Sequence, residues 1–292
     1  MRHQADSYVR AILRRMGLLE ICSRTEGRSA FQIGLIDGEV YKNHPSLTRA
    51  MIKQLPSGEP LNTTSLTTRH ATFISSILVG RGNGVVGLCP GCTLVSVPAL
   101  SDEMICGKIS VAATVDRLKN AVNSLVADGV NVIQLSLEFP EPTRRAFEAL
   151  SEALVKAASK GILVVIPVGN LAILDSNFIL ASDGVIPIAM SDWNGLPHTD
   201  STLDPAAARR GLLALGVDIP GALSPEGYTR RSGTSYAAAF VTGALALLDA
   251  ADSRLAAMKF RDAFLSRIAA SAHTNRMIPS PLDLESLFAL KM

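Results

Sequence analysis

Five short apolar runs rich in β-branched residues constrain this chain's fold more than any other feature: FQIGLID (31–37), CTLVSVPAL (92–100), VNVIQLSL (130–137), ILVVIPV (162–168) and VIPIAM (185–190). Runs of this length suit strands buried on both faces, as in a parallel sheet covered by helices. Between them lie segments with helical spacing of apolar residues, VAATVDRLKNAVNSLVADG (111–129) and PTRRAFEALSEALVKAASKG (142–161). Each closes on Gly, as a helix C-terminus does. Strand, helix, strand at these intervals predicts an α/β fold, a doubly wound and mostly parallel sheet flanked by helices in three layers. Function in such a sheet gathers at the carboxyl ends of the strands.

Composition narrows the class. With 292 residues, 48% of them hydrophobic and 18% charged, the chain has the make-up of a globular protein and enough length for one sizeable core. The net charge of +2 is spread over interspersed signs, so no partner such as nucleic acid or a membrane surface is implied. No stretch reads as the roughly 18 consecutive apolar residues of a membrane span, and the N-terminus lacks the apolar core of a signal peptide. A cytoplasmic location is the expectation. Tyr8, Val9, Ile12, Leu13, Met16 and Leu19 fall at helical spacing, which predicts one docking helix in an extension over 1–30. The main domain is expected over 31–274, with a loosely packed, Pro-bearing tail over 275–292 and a surface loop over 196–211. Cys22, Cys89, Cys92 and Cys106 fit reduced thiols. The C-x-x-C of Cys89-Pro90-Gly91-Cys92 has no second pair to complete a zinc site, and a turn with free thiols stands beside a redox reading.

Four places at or near strand ends carry polar groups able to do chemistry. Asp37 ends the first run and reads equally as a structural, metal-binding or catalytic carboxylate. His70, in TTRHATFISSILVG, sits in the expected first turn of a helix capped by Thr67 or Thr68, with Phe73, Ile74, Ile77 and Leu78 on its buried face. It is either a partly buried imidazole or a general base. Asn170, after Gly169, is a turn residue or an amide donor for an oxyanion. Ser235 opens an alanine-rich helix in SGTSYAAAFVTGALALL, where Ser232 or Thr234 could cap instead. The order Asp, His, Ser is one of three known chain orders of a serine-protease triad.

These stretches together resemble the subtilisin-like serine proteases from about residue 31 to 272. IGLIDGEV with the downstream His44-Pro45 is similar to the family's Asp motif, RHATFISSILVGRGNGVVGLCPG to its His motif, VVIPVGN to its oxyanion motif and SGTSYAAAFVTG to its Ser motif. The resemblance implies Ser235 as nucleophile, His70 as general base and acid, Asp37 as its orienter, and Asn170 with the Ser235 N–H as oxyanion hole. It implies substrate binding along Ser136, Leu137, Glu138 and Gly169, with a peptide or precursor peptide bound extended. LIDGEV, GLCPGC and SDWNG further resemble the branch that matures cyanobactin-type ribosomal peptides by trimming leader or recognition segments.

Departures from the family pattern qualify these expectations. Ala71 and Phe73 replace the Gly and second His of the His motif, Gly38 replaces the hydroxyl neighbour of the Asp, and Ala239 stands where the family places Pro. Glu138-Phe139 replace two glycines beside the specificity pocket, which predicts basic or small residues before the scissile bond. LVGRGNGVVG looks shorter than the family's calcium loop and offers only Asn83 as a side-chain oxygen, so that site is expected to be missing; no cofactor is expected, with calcium elsewhere left open. Hydrolytic maturation protease is the leading reading. A peptide ligase or macrocyclase, a housekeeping intracellular subtilisin and a peptide-binding pseudoprotease stand as alternatives, and the sequence specifies no oligomeric state.

Overall fold

The computed structural model describes residues 7–56, 60–82, 84–105, 111–136, 144–170, 178–202, 204–251 and 279–281. The five runs form strands β1 (Gln32–Asp37), β3 (Thr93–Pro98), β4 (Val132–Leu135), β5 (Leu163–Pro167) and β6 (Val185–Ser191). They join β2 (Met51–Gln54), β7 (Leu212–Leu215) and β10 (Ser280–Pro281) in one sheet of order β10-β7-β6-β5-β4-β1-β3-β2. Every neighbouring pair is parallel. A separate antiparallel hairpin, β8 (Ile219–Ala222) and β9 (Tyr228–Arg231), lies outside it.

Helices cover both faces, as the continuous apolar strands require. On one side, α1 (Ser7–Arg15), α2 (Leu19–Arg24), α3 (Leu66–Val79) and α8 (Thr234–Ala251) pack against Ile33, Leu35, Val165 and Ile188. On the other, α5 (Val111–Asp128), α6 (Arg144–Ser159) and α7 (Pro205–Arg210) pack against Ile36, Ile133, Val164 and Leu213. A short α4 (Asp102–Ile105) follows β3. At Gly34, β1 comes so near α5 that a Cβ there would lie 2.7 Å from Leu125 Cδ1.

Several sequence expectations need correction. The single N-terminal helix is two, because Gly17 at φ +66° ends α1. Leu18 N–H then donates to Leu13 O and Gly17 N–H to Arg14 O, the paired bonds of a Schellman cap. The loop expected over 196–211 contains α7, whose first turn is closed by Asp204 Oδ1 accepting from Ala207 N–H, with Pro205 as first helical residue. The tail returns to the sheet at Ser280 and Pro281, parallel to β7. Helix α8 is, by length and composition, apolar enough to cross a membrane at mean hydropathy 1.3, contrary to expectation, but 83% of it is buried in the fold. It lies under β4 to β7 and against α3, which accounts for an apolar surface on all sides.

Candidate active site

Asp37 ends the central strand β1, and its carboxylate is 1% exposed. Its Oδ1 accepts from the Gly38 N–H at 2.7 Å. His70 Nδ1 stands 2.8 Å from Asp37 Oδ2 and 3.1 Å from Oδ1, so both carboxylate oxygens face one ring nitrogen. A carboxylate only accepts, which places the proton on Nδ1 in the neutral ring and leaves Nε2 as the acceptor. The imidazole is about one quarter exposed.

The helix bearing His70 is held at its start. Ser65, not Thr67 or Thr68, is the N-cap, its hydroxyl accepting from Thr68 N–H. Asp102 adds a second cap from α4, accepting from Leu66 N–H, Thr67 N–H and the Thr67 hydroxyl. Burial would raise the Asp102 pKa, but these three donors hold it below the ordinary carboxylate value. His70 thus lies in the second turn of α3 rather than the first. Gly38 lets β1 meet this helix, since a Cβ there would come within 2.5 Å of Thr67 O. Phe73, which replaces a polar residue of the resembled motif, is fully buried against Gly221 and Tyr236.

Asn170 meets the start of α8 one residue before Ser235. Thr234 N–H donates to Asn170 Oδ1 at 2.9 Å, so the amide oxygen caps the helix from outside. That bond fixes the amide's orientation, because an N–H cannot face an NH2, and it turns Asn170 Nδ2 away from Thr234. Neither Ser232 nor Thr234 is the cap. Ser232 Oγ accepts from Asp218 N–H, and Thr234 Oγ1 is buried without a partner among the described residues. Gly169, at φ +104°, makes the reversal that brings Asn170 there. Beneath, Gln134 Nε2 donates to the Ser235 carbonyl at 3.4 Å and to Ser136 Oγ at 3.1 Å. Ser136 extends the ladder through its N–H to Ile36 O. Leu137 and Glu138 lie outside the described residues, as does Asn83.

Sequence reading missed Tyr236 and Arg231. The Tyr236 ring lies 5.7 Å from the His70 ring and 4.8 Å from that of Phe73. Burial raises its pKa, Arg231 opposes through charge and a hydrogen bond, and Asp37 adds to the rise. Only the position of Tyr236 beside Ser235 could have flagged it. A cavity of about 210 Å³ opens between the start of α3 and the end of β3, lined by Glu39, Thr68, Pro98, Leu100, Asp102 and Arg117 among others.

The cysteine turn lies elsewhere. Cys92 N–H donates to Cys89 O, and the thiols of Cys22, Cys89 and Cys92 are free and buried. Burial pushes the Cys22 thiol up to about 12, and the bond from Cys89 to Cys92, with burial, raises Cys89. Among the described residues no group of three or more His, Cys, Asp or Glu side chains is arranged to hold a metal ion.

Comparison with known proteins agrees with this architecture. The sequence profile of the subtilase family matches residues 28–278. Subtilisin DY of Bacillus licheniformis is 26% identical over 237 residues, covering 79% of this chain and 81% of that protein. Subtilisin Savinase of Lederbergia lenta is 26% identical over 222 residues, covering 75% and 76%. Among solved structures, the prenylagaramide maturation protease PagA superimposes with a TM-score of 0.80 at 25% identity, covering 94% of this chain and 98% of its own. The patellamide maturation protease PatA gives 0.71 at 25% identity, covering 90% and 97%. The PatG macrocyclase in complex with peptide shares the fold, with a TM-score of 0.75 at 21% identity over 93% and 96%.

Proposed function

The chain belongs to the subtilase family of serine endopeptidases, and on that footing we propose that Ser235 cleaves peptide bonds through an acyl-enzyme, with His70 and Asp37 as its partners. The observation that carries this is the buried Asp37 carboxylate gripping His70 Nδ1 from both oxygens, 2.8 and 3.1 Å away, while the ring stays partly exposed. In the proposed reaction His70 Nε2 takes the Ser235 hydroxyl proton as Oγ attacks the scissile carbonyl, and then gives it to the leaving amine. Asp37 keeps the tautomer and stabilises the imidazolium. Asn170 Nδ2 and the Ser235 N–H receive the oxyanion, a role supported by the pinning of the Asn170 oxygen on Thr234. Water then attacks the acyl carbonyl with His70 again as base. No metal or other cofactor enters these steps.

The substrate we propose is a ribosomal precursor peptide, bound extended and trimmed of a leader or recognition segment. Support comes from the likeness to PagA and PatA, both maturation proteases. The strand ends at Ser136 and Gly169 would flank the extended peptide, and the cavity beside Glu39 and Asp102 would take one of its side chains. A cytoplasmic setting is proposed with it, supported by three buried cysteines in the thiol form.

A fluorophosphonate probe tests the chemistry. Wild type should be labelled and Ser235→Ala, still folded by circular dichroism, should not; folded wild type that stays unlabelled would overturn the assignment. Mass spectrometry of products formed with an added amine then separates hydrolysis from transamidation.

A further inference from the structure

The family match begins at residue 28, so α1 and α2 lie before the matched segment, yet they are not peripheral. Val9, Ile12, Leu13, Met16, Leu18 and Ile21 are at most 3% exposed and belong to the core shared with α3 and α8. Their polar contacts, with those of Met16 after α1, fall on two segments, the turn after β6 at Trp193 and the run from β7 through the hairpin to Ser235. Met16 Sδ accepts from Leu215 N–H at the end of β7, and Arg15 Nε donates to Trp193 O at 2.8 Å. Tyr8 packs at 5.5 Å, tilted, against Trp193 and carries the Arg230 guanidinium 3.7 Å above its ring. Its hydroxyl donates to Asp218 O at 3.1 Å.

Asp218 links this helix to the nucleophile. It has φ +55°, the one non-glycine residue with positive φ among those described, a conformation costly for a side-chain-bearing residue unless neighbours hold it. From it the N–H donates to Ser232 Oγ at 3.0 Å, and close by the Gly233 N–H donates to Gly216 O at 2.9 Å. Ser232 and Gly233 are the two residues that deliver the chain into α8 and Ser235. The turn 216–218 is therefore fixed on one side by Tyr8 and on the other fixes the entry to the nucleophile helix. Arg230 in β9 is gripped by the same ring.

We propose that Tyr8 is a positioning residue for Ser235, and that α1 serves the reaction by holding the 216–218 turn on which residues 232–233 hang. The inference rests on the reading of Ser235 as nucleophile. A hydroxyl pulled off line loses rate at the chemical step and leaves binding intact, because the peptide lies along other strands.

The test is the rate of fluorophosphonate labelling, resolved into the limiting rate and the half-saturating concentration. Tyr8→Phe, which keeps the ring and loses the bond to Asp218, should lower the limiting rate about 3- to 10-fold, the worth of one hydrogen bond. Half-saturation should not change. Tyr8→Leu should lower the rate further. Adding Asp218→Gly to Tyr8→Phe should restore the rate, since glycine takes positive φ unaided. Leu154→Ala, buried on the opposite face of the sheet, should lower the melting temperature without slowing labelling of the folded protein. Wild-type rates in both Tyr8 variants, no recovery with Asp218→Gly, or equal slowing in Leu154→Ala would each overturn the proposal. Wild type that does not label at all overturns the nucleophile reading itself, so the two failures are distinct.

Discussion

Asn170 has two separable duties, and substitution can pull them apart. Its oxygen caps α8 by accepting from Thr234 N–H at 2.9 Å, and its amide nitrogen is the donor assigned to the oxyanion. Asn170→Ala removes both. Loss of a cap of this kind costs about 1 kcal/mol, which in a domain of this size lowers the melting temperature by about 2–4 °C. Loss of an oxyanion donor lowers kcat by about 10²–10³, a figure measured in subtilisin itself and borrowed for this relative. Asn170→Asp keeps an acceptor for Thr234 and adds a negative charge at a helix N-terminus, favourable by roughly 0.5 kcal/mol. It has no N–H to give and sets like charge beside the oxyanion. The expected result is therefore a variant as stable as wild type with kcat lowered at least as far as in Asn170→Ala. Thermal unfolding followed by circular dichroism reads the first duty, and kcat on a peptide ester reads the second. If Asn170→Asp keeps more than a third of wild-type kcat, the donor assignment is wrong. If Asn170→Ala melts with wild type, the capping argument is wrong.

Three further outcomes are expected. Neutral His44 accepts from Ser46 N–H on Nδ1 and donates from Nε2 to Gly227 O, and burial lowers its pKa against the opposing pull of that carbonyl. Its folded pKa thus lies below the unfolded value, so its contribution is present above about pH 6.5 and is lost as pH falls through the folded pKa. Urea unfolding should lose stability between pH 7 and 5, and His44→Gln should flatten that slope; an unchanged slope refutes the assignment. A Cβ on Gly221 would lie 2.7 Å from two Phe73 ring atoms, so Gly221→Ala should cost about 1–3 kcal/mol by overpacking, measurable by the same unfolding. In α8 the Ala239 N–H faces the Ser235 carbonyl, which Gln134 also contacts. Ala239→Pro removes the first donor and should lower the ratio of aminolysis to hydrolysis; an equal ratio by mass spectrometry shows that Ala239 has no part in partitioning.

The sheet was legible because β-branched runs buried on both faces leave an unmistakable pattern, as in LVVIP of β5. Strands set by their neighbours were not. LLAL of β7 has no β-branched residue, and MIKQ of β2 is a half-exposed edge. Helix α7 was read as loop because polar residues around it outweighed Asp204 and Pro205, which together begin a helix. At the site, Asp37, His70, Asn170 and Ser235 stood out because motif order is a property of sequence. What holds them did not, since Asp102 capping α3 and Asn170 capping α8 are bonds across 35 and 64 residues. Tyr8 and Asp218, 210 residues apart, lie further still beyond any local signal.

Those separations also govern when the enzyme can act. Asp37 and His70 are 33 residues apart, Asn170 reaches α8 across 64, and Gln134 reaches Ser235 across 101. Every one of these contacts waits on closure of long loops, the slow part of folding. A chain emerging from the ribosome carries Asp37 and His70 long before α8 exists, and such a chain lacks Ser235, the proposed nucleophile. Partial unfolding that frees α8 from the sheet disarms the molecule just as surely. On the proposed mechanism, proteolytic power is confined to the native state, and a half-made copy is inert toward its neighbours.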